Sequence, residues 1–164
     1  MDKRLKTPTD LETQKAAKVA DALNRVLADS FALYLKYKNF HWHLSGRHFR
    51  DLHLLFDDHA NEIFGTTDIL AERVRRIGGM TLRSIGEISE LQTLKDNNAE
   101  YVSPHDMIIE LMNDNLAVAK NMREAHSIAD DAEDVATASE LEVMIDAAEN
   151  RKWFLFELSQ ETEG

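Results

Sequence analysis

Apolar residues recur along this chain at alternating spacings of three and four, the period of one face of an α-helix. Val19, Leu23, Val26, Ser30, Leu33 and Tyr37 form the first such seam. Pro8 precedes it, Thr9 or Asp10 is placed to cap it and Glu12 falls in its first turn, so a first helix is predicted to run to about Lys38. Ser45-Gly46 reads as a turn. A second helix is predicted from about Phe49 to Ile77, stopped by Gly78-Gly79. Residues 80–102 form a long connection with room for a short helix from Ser84 to about Leu94. Ser103-Pro104 reads as the N-cap and first residue of a third long helix, running to about Ala129. The acidic cluster Asp130, Asp131, Glu133 and Asp134 breaks the pattern. A fourth long helix follows, from about Asp134 to Gln160, carrying Val143, Ala147, Phe154 and Leu158. Four long helices with one long connection predict an all-α four-helix bundle with a crossover and a short extra helix between helices two and three. With no internal repeat, this is one domain over residues 10–164, preceded by a flexible basic tail at 1–9.

Composition agrees. The 164 residues suffice for a single sizeable core, and six Gly and two Pro leave little punctuation for hairpins. There is no Cys, which removes disulfide and thiol chemistry. No apolar run approaches the roughly 20 residues of a membrane span, and MDKRLKTPTD lacks the apolar core of a signal peptide. The expectation is a cytoplasmic protein with no membrane partner. Charge adds an asymmetry. Residues 1–85 carry a net +3 and residues 86–164 a net −14, within a total of −11. A broad nucleic-acid surface needs a clustered basic face, and only Lys3, Arg4 and Lys6 offer one. The acidic half either attracts cations or simply solvates helix exteriors.

The second helix changes the picture. With Leu52 at zero and 100° per residue, Phe56, His59, Ile63, Leu70, Val74 and Ile77 fall within about 40° and form the core stripe. His53, Asp57, Asp68 and Glu72 fall at about 100°, 140°, 160° and 200°. This second stripe also carries Ala60, Phe64 and Ala71, the composition of a contact surface rather than open solvent. His53 with Asp57, and Asp68 with Glu72, are i,i+4 pairs that can each present two side chains to one ion. The pairs are centred about 22 Å apart along the axis, too far for one ion within one chain. If the same helix of a second chain packs antiparallel across a two-fold axis, each His-Asp pair meets the other chain's Asp-Glu pair. His41, expected just beyond the first helix, can be returned beside His53 by a short loop. The set is then His41, His53 and Asp57 from one chain, and Asp68 and Glu72 from the other. Mixed imidazole and carboxylate donors suit iron, manganese or zinc. The competing readings are a Glu72 pair with Arg75 or Arg76 and solvated Asp57 and Asp68. An intrachain di-iron centre is disfavoured, because no His has a Glu three positions before it.

These residues carry a family resemblance. KNFHWH at 38–43, GxxFxxLH at Gly46–His53, Phe56-Asp57, and DILAERVRRIGG from Asp68 to Gly79 resemble the Dps mini-ferritins, the DNA-binding proteins from starved cells. The order His, 11 residues, His, three, Asp, ten, Asp, three, Glu resembles that family's ligand pattern, and KWFLFE near the end fits too. The resemblance implies a ferritin-like fold and a hollow dodecamer with ferroxidase sites at two-fold interfaces. His41, His53, Asp57, Asp68 and Glu72 take the ligand positions, with Asp57 and Glu72 on the tighter iron and a second position weak or water-mediated. The implied chemistry is oxidation of Fe(II), preferably by hydrogen peroxide, with ferric mineral stored inside; zinc or manganese can substitute for iron. Trp42 adjoins the site, either accepting an oxidising equivalent or wedging the subunit contact. His43, where many relatives carry Asn, stays outside the ligand set. His48 and His59 read as structural. The acidic cluster at 130–134, with Glu140, resembles the family's negatively charged pore. The short basic tail predicts weak or absent DNA binding near neutral pH. The alternative function is a nucleoid-compacting, DNA-organising shell whose metal site is only structural.

Overall fold

The computed structural model describes residues 2–160, and these are all-α, with no strand among them. Four long helices, α1 (Thr13–His43), α2 (Phe49–Arg76), α4 (Pro104–Asp131) and α5 (Val135–Ser159), form the bundle, and short α3 (Ile85–Leu91) lies in the connection between α2 and α4. α1 packs against α2 and α4, α5 packs mainly on α4, and α3 lies against α1. The predicted bundle with its crossover and extra helix is the fold observed.

Each boundary has a local cause. Glu12, rather than Thr9 or Asp10, caps α1, its side chain accepting from Gln14 N at 3.0 Å. Ser103 caps α4 from Asp106 N at 3.1 Å, with Pro104 in the first turn as expected. Ser84 caps α3, which ends three residues short of the predicted Leu94. α2 stops where Gly78 adopts φ +83°, and a Cβ there would lie 2.8 Å from the Thr7 carbonyl oxygen. That close approach seats the N-terminal segment on the end of α2, where Arg75 Nη2 also donates to the Leu5 carbonyl at 2.5 Å. Residues 3–5 form a single 3₁₀ turn.

The predicted seams are buried. Val19, Leu23, Val26, Ser30, Leu33 and Tyr37 of α1 face Leu52, Phe56, Ile63, Leu70 and Val74 of α2 in one core. α5 departs from expectation. Val143, Phe154 and Leu158 are exposed, and its buried positions are Leu141, Met144, Ile145, Ala148, Arg151 and Leu155. α5 is apolar on more than one face, so period alone does not choose the inward one.

Polar groups thread the core. Asp29, buried in α1, accepts from Thr93 N at 2.6 Å, Leu94 N at 3.2 Å and Asn121 Nδ2 at 2.9 Å, pinning the crossover to α1 and α4. Arg151 of α5 donates to Asn115 Oδ1 at 2.9 Å and to Glu62 Oε2 at 2.7 Å. Asn115 donates in turn to the Tyr37 hydroxyl at 2.8 Å, which lies 3.2 Å from His59 Nδ1. His59 is therefore the buried, hydrogen-bonded histidine expected on the core stripe. Burial, followed by the Arg151 charge, pushes its pKa down to about 4 from 6.5. Between those values the unfolded chain binds a proton that the folded chain refuses, so the stability present above pH 6.5 is lost as pH falls toward 4. The loss amounts to roughly 3 kcal/mol. Unfolding midpoints measured across this window should fall with acidification, and His59→Gln should flatten the slope. An equally steep slope in that variant would acquit His59.

Candidate metal half-sites on α1 and α2

α1 does not end at Lys38. It continues to His43, so His41 stands in its last turn rather than beyond it. The five-residue link to α2 then places His41 directly against His53. Their rings stack with centroids 3.7 Å apart and planes 16° apart. Each ring is tied to the other residue's backbone: His41 Nδ1 lies 2.7 Å from the His53 carbonyl oxygen, and His53 Nδ1 lies 2.9 Å from the His41 carbonyl oxygen. A carbonyl only accepts, so both Nδ1 atoms carry the proton. That leaves both Nε2 lone pairs unprotonated in the neutral rings, the tautomer a metal needs. Outer hydrogen bonds of this kind fix ligand orientation as well as tautomer. Phe49 also stacks on His53, at 4.9 Å between centroids.

Asp57 lies one turn after His53 and is 37% exposed. Its Oδ1 takes the Lys38 ammonium at 2.5 Å. That hydrogen bond, outweighing partial desolvation, holds the Asp57 carboxyl below the usual carboxylate range. Lys38 Nζ also lies 5.8 Å from the Trp42 ring centroid. Further along α2, Glu72 pairs with Arg76 at 2.5 Å, one of the two competing partners expected from the sequence. Asp68 is exposed. Among the described residues, no three His, Asp or Glu side chains close around one point in a single chain. One chain thus carries two separate candidate groups, the His41–His53 stack of α1 and α2 with Asp57 one turn along α2, and Asp68 with Glu72 further along α2.

Exposed apolar groups of α1 and α2 surround these positions. Trp42 is 59% exposed and Phe64 51%, with Leu35 and Leu54 also exposed. Exposed aromatic and aliphatic groups in such numbers mark a contact surface. His43 turns back along α1, its Nδ1 lying 2.8 Å from the Asn39 carbonyl oxygen.

The acidic cluster is only partly as expected. Asp130, Asp131 and Glu133 are exposed. Asp134 is buried and turned inward. It caps α5 by accepting from Thr137 N at 3.1 Å and binds Arg73 at 2.8 Å, so it does not belong to a solvent-facing ring. The sequence reading also missed Lys38 as the partner of Asp57; the i,i+4 spacing of Lys38 and Trp42 was the available signal.

The bundle defines the class first: residues 20–164 match the family model described as a ferritin-like domain. The chain is 32% identical over 145 residues to DNA protection during starvation protein 1 of Deinococcus radiodurans, covering 88% of this chain and 70% of that protein. It is 34% identical over 137 residues to the DNA protection during starvation protein of Brevibacillus brevis, covering 84% and 91%. The crystal structure of a Dps protein from Bacillus brevis superimposes with a TM-score of 0.87 at 32% identity, covering 92% of this chain and 100% of that one. The chain belongs to the Dps family of ferritin-like proteins.

Proposed function

We propose that this protein is a ferroxidase and iron-storage protein that oxidises Fe(II), preferably with hydrogen peroxide, at sites shared between two subunits of a hollow dodecamer. The observation that carries this reading is the crosswise His41–His53 pair. It locks both rings with Nε2 available, one turn of α2 before Asp57, and nothing in an ordinary core packing requires that arrangement. Two imidazoles and three carboxylates form a donor set suited to Fe(II), with zinc or manganese as alternates. Asp68 and Glu72, on the same face of α2, complete the set from a partner subunit. The exposed Trp42, Phe64, Leu35 and Leu54 supply the contact. Two Fe(II) ions give two electrons to one hydrogen peroxide, yielding two Fe(III) and two hydroxide ions, with no hydroxyl radical released. Consuming both reagents would protect DNA in the cytoplasm without requiring contact with it, in keeping with the names of the relatives.

The test is anaerobic loading of the purified protein with Fe(II), followed by peroxide, while iron oxidation, hydroxyl radicals and retained iron are followed. Fast oxidation, few radicals and iron that stays with the protein are expected. Oxidation no faster than in buffer, with iron precipitating outside, would overturn the reading in favour of a DNA-organising shell.

DNA binding itself should be weak. Of the three basic residues of the N-terminal segment, Arg4 is already paired with Asp2 at 2.8 Å. Lys3 and Lys6 remain against a chain of net charge −11. Any complex should form only at low ionic strength and vanish near physiological salt, since phosphate contacts are lost steeply with salt. A gel-shift series across salt checks this; a tight complex at the high-salt end contradicts it.

A further inference from the structure

Both half-sites already hold a cation from their own chain. Lys38 Nζ lies 2.5 Å from Asp57 Oδ1, and Arg76 Nη2 lies 2.5 Å from Glu72 Oε2. The pairs differ in surroundings. Lys38 is only 16% exposed, whereas Arg76 and Glu72 are both more than half exposed. Solvent screens the second pair far more strongly than the first.

The Lys38 ammonium sits on an oxygen lone pair that a metal ion would need. A divalent ion bound to Asp57 would lie about 2 Å from that oxygen, at the usual carboxylate–metal distance. A compact ammonium cannot stay in hydrogen-bond contact with the same oxygen beside a doubly charged ion. Its four-carbon stem gives it somewhere to go. In the same position Nζ already stands 5.8 Å from the Trp42 ring centroid, one turn along α1, so rotation of the stem can release the carboxylate without leaving cation–π range.

We propose that Lys38 is a displaceable counter-ion built into the metal site. Its ammonium occupies an Asp57 oxygen and swings off that oxygen, still within reach of Trp42, when a divalent cation takes the carboxylate. This rests on the reading of His41, His53 and Asp57 as metal ligands, and it assigns Lys38 the role of a positioning residue that sets affinity. The ammonium keeps the partly exposed Asp57 carboxylate neutralised until a stronger cation arrives. The exchange also selects by charge. A monovalent ion offers Asp57 nothing that the ammonium does not, while a divalent ion does.

Cobalt(II) tests the exchange apart from iron oxidation, because its visible absorption reports binding directly. Metal-free, assembled protein is titrated as wild type, Lys38→Gln, Lys38→Arg and Arg76→Gln. Lys38→Gln should bind the same number of Co(II) ions with roughly tenfold lower Kd, the scale of a partly buried ion pair removed. Lys38→Arg, which keeps the charge, should not tighten binding, and Arg76→Gln should change Kd by less than about twofold because its pair is screened. Lys38→Met gives the same reading if the Gln variant does not assemble. Unchanged or weaker binding in the neutral variants overturns the counter-ion while leaving the site itself standing. Wild-type binding that is indifferent to Asp57→Ala removes the metal site, and the counter-ion with it.

Discussion

Mixing subunits that carry His53→Ala with subunits that carry Asp68→Ala should restore about a quarter of wild-type ferroxidase activity. Each variant alone should lose at least about 100-fold, since even the outer partners of metal ligands cost 10- to 100-fold when removed. The recovery follows from geometry. His53 and Asp68 stand on one face of α2 about four turns apart, so an antiparallel pair of α2 helices brings each to the other chain's complement. Random re-pairing of equal amounts makes about half of the dimers mixed. In a mixed dimer one interface site inherits both substitutions and the other inherits neither, so one site of two works. Subunit exchange is verified first by mass on tagged chains. A site confined to one chain would show no recovery after such exchange, and that result would refute the shared site.

Arg151→Ala should destabilise the protein by about 2–3 kcal/mol, the scale of a buried side chain's lost packing together with a buried acceptor left without its donor. Arg151 is 2% exposed and reaches across the bundle to Glu62 on α2 and Asn115 on α4. Removing it leaves the Asn115 carbonyl without a donor in the core and opens a void along the guanidinium stem. Arg151→Lys recovers the charge but not the two-pronged geometry, so it should recover only part of the loss. A second signature separates this from a simple cavity. The Arg151 charge helps depress the His59 pKa, so the acid sensitivity between pH 6.5 and 4 should shrink in Arg151→Ala. Guanidinium unfolding at neutral and acid pH measures both. A loss below about 1 kcal/mol at neutral pH would mean that the Tyr37–Asn115–Arg151 chain contributes little net stability.

Much of this protein was legible because its informative segment is one long helix. Over the 28 residues of α2 the 3.6 period separates two stripes clearly, and every residue assigned to the core stripe is buried. Helix starts read well where Ser opened them, as at Ser84 and at Ser103 directly before Pro104. The method failed where a pattern had no unique face. α5 offers Val143, Phe154 and Leu158 on one side and Leu141, Met144, Ile145 and Leu155 on another, and only the neighbouring helices choose between them. It also failed at the end of α1. Nothing after Lys38 breaks a helix before Ser45-Gly46, and the five extra residues carry His41 into the helix.

The sequence by itself determined the periodic features: four long helices, the crossover, the two stripes of α2 and the spacing that keeps the His53–Asp57 and Asp68–Glu72 pairs apart within one chain. These depend on residues close together along the chain, where helical geometry ties position to direction. The tertiary structure alone decided which charges meet. Lys38 is 19 residues from Asp57, and Arg151 is 89 residues from Glu62. Asp134 was drawn inward by Arg73, 61 residues away, and the two histidines were locked tautomer to tautomer across a loop. Such pairings are set by how helices pack and which groups the packing strips of water, and a buried charge takes whatever partner lies within reach.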